Sequence, residues 1–393
     1  MRILDRYILK NFLLPFLYCF FGFIAIWLLI DFTSHMGDFV DSKSSIRLVA
    51  YFYATQLPEI IVLVLPVALL LALLYSLSRM SRSNEIISML TAGQSMTRLI
   101  LPLLFVGLAA TVFSLGMNYS LAAHADVAKN TMLDRLSHGK EKVSVLTDQL
   151  FRNRADNRTW FVQILINELP RNTRSKNLDL TRFQAVHITQ QDDKGNIQRT
   201  YYAHKAAFDP QRKVWTFDDG KTVDFDPDGN VIKEESWPEL KMSNWSETPW
   251  RILSSNLDAQ NLSVPELADY MRINSDFPDV QLAPYRTYYH YRLAYPAGCL
   301  VVILIAAPLG IVFSRRGVLA GVASSIFIFF GMMFFDKLFL AFGKHGSIPA
   351  LTAAWGTNAI FAAVGLFLLY MRSTNRDFFK WNFKNLLRIS KTA

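Results

Sequence analysis

Cysteine is nearly missing from this chain: two stand among 393 residues, Cys19 and Cys299, each inside a long apolar block. Neither can staple the polar middle, so a disulfide framework is excluded there. No Cys/His cluster has metal-ligand spacing, which argues against a zinc site, and no cofactor is expected. A phosphate loop of the P-loop type is missing too. His138-Gly139-Lys140 lacks both the upstream Gly and the following Ser or Thr. No nucleophile–base constellation stands out. A chain of this kind has no ATPase of its own; if ATP drives it, another chain hydrolyses the nucleotide.

What is present is apolar and clumped. Hydrophobic residues make up 51% of the chain, yet the middle third is polar and both ends are oily. Six blocks approach the ~20 residues a helix needs to cross a ~30 Å hydrocarbon core. They run over Phe12 to Ile30, Leu48 to Leu77, Leu99 to Leu121, Ala294 to Phe313, Val318 to Phe335 and Ile348 to Tyr370. The first is longer than the 7–15-residue core of a signal peptide and ends at Asp31, so it reads as a retained span. Pro58 and Pro66 interrupt the second, which a membrane bundle tolerates better than an exposed helix.

Charge sets the expected orientation. With the N-terminus inside, the cytoplasmic segments hold fourteen basic residues, from Arg2 to Lys391, against Asp5, Glu85 and Asp377. That is a net of +11 of a total of +9, leaving about −2 for everything else. Lys and Arg are retained on the cytoplasmic side during insertion. Arg315 and Arg316, in the joint after the fourth block, are topology anchors on this reading, and nucleic acid is not an expected partner.

Between the two oily ends, strand-like segments alternate with turn signals. The candidates are Trp160 to Ile166, Phe183 to Gln190, Ile197 to Phe208, Lys213 to Phe217, Lys221 to Phe225 and Val231 to Glu235. Asp192 to Asn196, Asp209-Pro210, Asp218 to Gly220 and Asp226 to Asn230 punctuate them. The last resembles a calcium loop but lacks the alternating ligands and closing Glu of an EF-hand, so it reads as a turn. Ser263-Val-Pro-Glu266 offers a capping box to a short helix that returns the chain to the membrane.

The expected architecture is therefore an α-helical membrane protein with six spans, three on each side of an inserted extracytoplasmic all-β jelly-roll domain. Its parts are a first membrane half over residues 1–121, a β domain over 122–284, a second membrane half over 285–371 and a basic-aromatic tail over 372–393. Between spans two and three, Ser81 to Gly93 predicts a short helix over about 83–92. Ser81 or Ser83 would cap it and Gly93 would end it. Its apolar pair Ile86 and Leu90 would face a partner or lie on lipid. In the tail, Arg372, Arg376, Lys380, Lys384 and Arg388 interleave with aromatics, a pattern suited to an anionic membrane surface.

These segments together resemble the LptF/LptG permease family over nearly the whole chain. The likeness is carried by Leu4-Asp-Arg-Tyr-Ile8, Leu57-Pro58, Leu65-Pro66, Asn84-Glu85 and Ala92-Gly93 in the first half. In the second half it is carried by Tyr295-Pro296, Pro308-Leu-Gly310, Ser314-Arg-Arg-Gly317 and Ala354-Trp-Gly-Thr-Asn358. The resemblance implies a subunit that pairs with a second LptF/LptG-type permease, binds an LptB-type ATPase dimer and exports lipopolysaccharide from the inner membrane. An LptC-type protein would receive the lipid, after it enters between the first and fifth spans and passes the β domain.

Carried over to this chain, Glu85 corresponds to the family's ATPase-coupling Glu, with Ile86 and Leu90 beside it. Lys43 and Arg47 are the candidates for substrate phosphates, in a mixed set with Asp31, His35, Asp38 and Asp41. The start and the Asp31 region lean towards the G-type subunit. Two other readings stand beside this one: a permease for another lipid or glycan, and a membrane-tethered adaptor without transport. Six proline-interrupted spans favour a gated path over a tether. An ion-coupled transporter would bury ionisable residues mid-membrane, whereas Glu59 and Asp336-Lys337 fall near outer ends.

Overall fold

The computed structural model describes residues 3–42, 44–125, 129, 145–166, 183–243, 245–254, 258–311 and 315–374. Six helices in it are long and apolar enough to cross a membrane, and a six-stranded antiparallel sheet is inserted between the third and fourth.

The first half holds α1 (Ile3–Asp41), α2 (Ile46–Arg82), the short α3 (Glu85–Thr91) and α4 (Met96–Gly116). At 1.5 Å per residue the 39 residues of α1 span about 58 Å, far more than the apolar run alone requires. Once nucleated, a helix extends cheaply. Here packing favours extension at both ends: Ile8 and Phe12 are buried near one end, and Phe39 against Phe52 at the other.

The fourth span departs from the expected single run. It is built from α7 (Asp279–Ala294), a 3₁₀ turn over Tyr295–Ala297 and α8 (Gly298–Gly310). Pro296 has no N–H to give, so the regular ladder fails here. The break lets α8 pack against α2 at the centre of the bundle, where Leu69, Leu73, Ile303 and Ala306 are fully buried. At Gly365 of α10 (Ala350–Ser373), an added Cβ would sit 2.9 Å from Leu304 Cβ, so only glycine allows these two helices to approach so closely.

The fifth span also runs past its expected end. Residues 336, 337 and 344, expected in a joint, lie inside α9 (Arg315–Lys344). They are accommodated because Tyr291 of α7 donates its hydroxyl to Asp336 Oδ2 at 2.8 Å, and Lys337 Nζ donates to the same Tyr291 oxygen at 3.3 Å.

The sheet is a meander in chain order, β1 (Val145–Asn153), β2 (Arg158–Ile166), β3 (Phe183–Gln191), β4 (Ile197–Asp209), β5 (Val214–Phe225) and β6 (Val231–Ser243). The sequence pattern does not announce β1. The supposed turn at Asp218 to Gly220 proves to lie within a single strand, β5. Asp219 has a φ of +52° and is a kink rather than a reversal. Ala185, on β3, has a φ of +47° and falls where the alternation of buried side chains slips by one, between Phe183 and Val186. At Gly220 any Cβ would collide with the Tyr202 carbonyl and the Trp237 ring. Hence the residue that reads as a turn former serves close approach instead.

The two Asp-Gly-Asn loops close their hairpins as plain turns. Asp192 and Asp226 accept the main-chain N–H of Asn196 at 2.8 Å and of Asn230 at 2.7 Å. One face of the sheet is filled by Trp160, Trp215 and Phe217. The segment after β6 seals it. The buried Glu247 accepts Arg158 Nε at 2.7 Å, and its carbonyl accepts Trp215 Nε1 at 2.8 Å. After α5 (Pro249–Ser254), α6 (Val264–Ile273) begins with the expected capping box, in which Glu266 Oε2 accepts the Ser263 N–H at 2.9 Å.

Candidate functional site

Two regions combine exposure with chemistry: the end of the bundle that carries α3, and the long apolar faces of α1 and α9.

Helix α3 has seven residues, too few to persist alone. It is held because Ile86 is 3% exposed and packs into the main bundle core, with Met89 and Leu90 beside it. Burying such a side chain contributes roughly 2 kcal/mol. Of the apolar pair expected to face a partner or lipid, Ile86 is thus taken up by the chain's own spans, while Leu90 is half-buried. Neither Ser81 nor Ser83 caps the helix: α2 runs on through Arg82, and Asn84 precedes α3 in the left-handed region at φ +59°. The Ser83 hydroxyl donates instead to Glu85 Oε1 at 2.8 Å, and Tyr7 of α1 donates its hydroxyl to Glu85 Oε2 at 2.9 Å. Gly93, at φ +83°, ends the helix as expected.

Two residues before Tyr7, Asp5 accepts Arg98 Nη2 with both oxygens, at 3.2 and 3.1 Å. Arg98 lies in the first turn of α4, which Ser95 caps through its side chain. The starts of α1, α3 and α4 are therefore tied by three side-chain contacts. Sequence reasoning singles out Glu85 but not Tyr7 or Asp5, because their partners are 78 and 93 residues away.

At the opposite end of α1, Asp31 is 8% exposed and accepts Lys129 Nζ at 2.6 Å. Lys129 also lies 5.8 Å from the centre of the Trp27 ring. The sequence gives no hint of this pairing, since Lys129 is a lone cation beyond the third span. Of the two phosphate candidates, Arg47 is exposed in the first turn of α2, and Lys43 lies outside the described residues. Arg315 and Arg316 open α9. The tail beyond residue 374 is outside the described residues; Arg372 donates to the carbonyl of Ile311, which follows α8.

Between its anchored ends, α1 shows Leu14, Tyr18, Phe21, Leu29 and Ile30 to the surroundings. On α9, Phe327, Phe330 and Phe334 are 80, 64 and 64% exposed, spaced as one helical face. Such apolar area needs lipid or protein against it. In the sheet, the face away from the tryptophan core carries a groove of about 850 Å³. Phe161, His187, Tyr202 and Lys221 line it, His187 and Tyr202 stacking at 4.5 Å. Burial lowers the His187 pKa, so its ring is neutral at pH 7.

The sequence that forms these spans and the inserted sheet is matched over most of its length by known proteins. The family model described as lipopolysaccharide export system permease LptF/LptG aligns with residues 6–371. Among curated proteins, the lipopolysaccharide export system permease protein LptG of Escherichia coli K12 is 22% identical over 380 residues. That alignment covers 94% of this chain and 99% of the relative. LptG of Escherichia coli O6:H1 strain CFT073 matches to the same extent. A match running from the first turns of α1 to the last of α10 takes in both membrane halves and the sheet; the chain belongs to the LptF/LptG family of lipopolysaccharide export system permeases.

Proposed function

We propose that this chain is one permease half of an ATP-driven exporter that lifts lipopolysaccharide out of the inner membrane and passes it to a periplasmic bridge. A second LptF/LptG-type permease forms the other half, an LptB-type ATPase dimer supplies the energy, and an LptC-type protein receives the lipid. On this reading the termini and α3 are cytoplasmic and the β domain, residues 122–284, is periplasmic. The observation that carries it is the family match over residues 6–371, on a bundle whose α1 and α9 leave apolar faces uncovered. Those faces suit the walls of a lipid path closed by the second permease.

Within this assembly Glu85 meets a basic group of the ATPase, while Ile86 and Leu90 fix α3 to the bundle so that it moves as part of it. A carboxylate with two intramolecular donors keeps lone pairs free for a guanidinium. Lys43 and Arg47 contact substrate phosphates beside the outer end of α1, and Arg315 and Arg316 anchor the start of α9 at the cytoplasmic surface.

Affinity purification in mild detergent tests the reading. It is expected to recover an ATPase and a second six-span chain; recovery of neither sinks it. Loss of a charge-assisted contact at Glu85, worth about 1.5–3 kcal/mol, should weaken ATPase association tenfold or more in Glu85→Ala. Unchanged assembly and export in that variant would remove Glu85 from the coupling role.

A further inference from the structure

The cytoplasmic partner proposed above touches α3, yet the lipid path runs along α1, and a physical link between the two is required. We propose that Tyr7 is that link: a positioning residue that holds the Glu85 carboxylate and makes α1 follow α3. The inference rests on the coupling role assigned to Glu85.

Three observations carry it. First, Tyr7 Oη donates to Glu85 Oε2 at 2.9 Å, a contact between residues 78 positions apart that fixes one oxygen of the carboxylate while Ser83 fixes the other. The carboxylate is thereby aimed before any partner arrives. Second, α3 is bracketed by residues in the left-handed region, Asn84 at φ +59° and Gly93 at φ +83°. Both are exposed, so α3 is tied to the spans through the buried Ile86 and through Tyr7 rather than through its ends. Third, α1 is one continuous helix, with Pro15 inside it, gripped firmly at its start. Leu4, Ile8 and Phe12 form a stripe against the core, and Asp5 engages Arg98. Farther along, Leu14, Tyr18 and Phe21 are exposed. A displacement applied at Tyr7 is therefore passed along α1, which packs on α2 through Phe20, Ile24 and Trp27, to the face that Leu14, Tyr18 and Phe21 expose. Asp5 supplies the fulcrum on α4, and Tyr7 supplies the handle on α3.

The test uses the full complex in proteoliposomes loaded with lipopolysaccharide. Tyr7→Phe keeps the ring and removes one hydroxyl. The quantity read is lipopolysaccharide exported per ATP hydrolysed, which a merely structural lesion that lowers the amount of active complex leaves unmoved. The expected result is a fall of at least fivefold in that ratio. In a Glu85→Ala background, Tyr7→Phe is expected to have no further effect, because its acceptor is gone. A wild-type ratio in Tyr7→Phe, or effects of the two substitutions that simply multiply, overturns the proposal. If no ATPase assembles with the wild-type chain, the underlying reading fails instead, and the two failures are distinct.

Discussion

Asn118 donates its side-chain amide to the main-chain carbonyl of Arg292 at 2.7 Å. That carbonyl would ordinarily accept from residue 296, which is a proline without an N–H. The Asn118 oxygen also accepts Arg292 Nη1 at 3.3 Å, so one buried side chain repairs the broken ladder and holds the cation beside it. Two residues on, Asn358 of α10 donates to the carbonyl of Ala294 at 2.7 Å, where the helix tightens into a 3₁₀ turn. Membrane helices tolerate proline where neighbours satisfy the freed groups, and here the neighbours are two asparagines.

Replacing either asparagine should expose that dependence. Asn118→Leu and Asn358→Leu are each expected to destabilise the detergent-solubilised protein by about 1 kcal/mol, the scale of hydrogen bonds inside membrane bundles. Thermal unfolding followed by circular dichroism measures it, and unchanged midpoints in both would show that the freed carbonyls find other donors.

The Asp5–Arg98 pair should behave as a shielded ion pair rather than a surface one, since the side chains are 13 and 31% exposed. Arg98→Ala leaves Asp5 partly buried without this guanidinium, a loss expected to cost about 2 kcal/mol. Arg98→Lys should recover only part of it, because its ammonium ends one bond short of the Nη2 that meets both Asp5 oxygens. Comparing unfolding midpoints of the three proteins decides the matter; full recovery by Lys would mean that charge alone suffices.

The Asp31–Lys129 contact joins the other end of α1 to the segment after α4. Lys129→Met would leave a carboxylate at 8% exposure without its cation, whereas Asp31→Asn with Lys129→Met removes both charges. The single variant is expected to lose stability by several kcal/mol and the double variant much less. Equal losses in a double-mutant cycle would refute the pairing.

Acid should loosen the β domain. Burial raises the Asp156 carboxyl, but hydrogen bonds from Ser246 and Asn153 and the charges of Arg158 and Arg251 outweigh it, and the net shift is downward. Asp224 is lowered chiefly by its hydrogen bond from Arg199. A depressed folded pKa means the contribution is complete above the ordinary carboxylate value, about 4, and lost as pH falls through the depressed one. Fluorescence of Trp160, Trp215 and Trp245, packed near this network, is expected to hold steady at pH 5 and change below about pH 4. Asp156→Asn should flatten part of that slope.

Gly220 offers a sharper steric test. Gly220→Ala places a methyl group against the Tyr202 carbonyl and the Trp237 ring, so the middle of the sheet must shift. Limited proteolysis of the full chain is expected to cut faster between residues 145 and 243 in this variant than in Gly229→Ala. Residue 229 sits in an open turn, where the penalty is confined to its positive φ of +86°. Equal cutting rates would show that the strands yield without loss.

The sequence by itself determined the plan of the molecule. Transfer free energy over some twenty residues is additive along the chain, so each span was readable from its own residues, as were the capping box at Ser263 and the Asp-Gly-Asn turns. The length and continuity of elements were decided by tertiary structure. Pro296 splits a span because distant asparagines accept the consequence, and Asp218 to Gly220 continues a strand because Trp237 covers it. The candidate site divides in the same way. Glu85 stood out from its local motif, while Tyr7, Asp5 and Lys129 acquire meaning only from groups brought within 3.2 Å by the fold. Ile86 and Leu90 looked like a docking face because α3 is amphipathic; packing turned Ile86 inward and left Leu90 half-buried, since the bundle core was the nearest apolar surface.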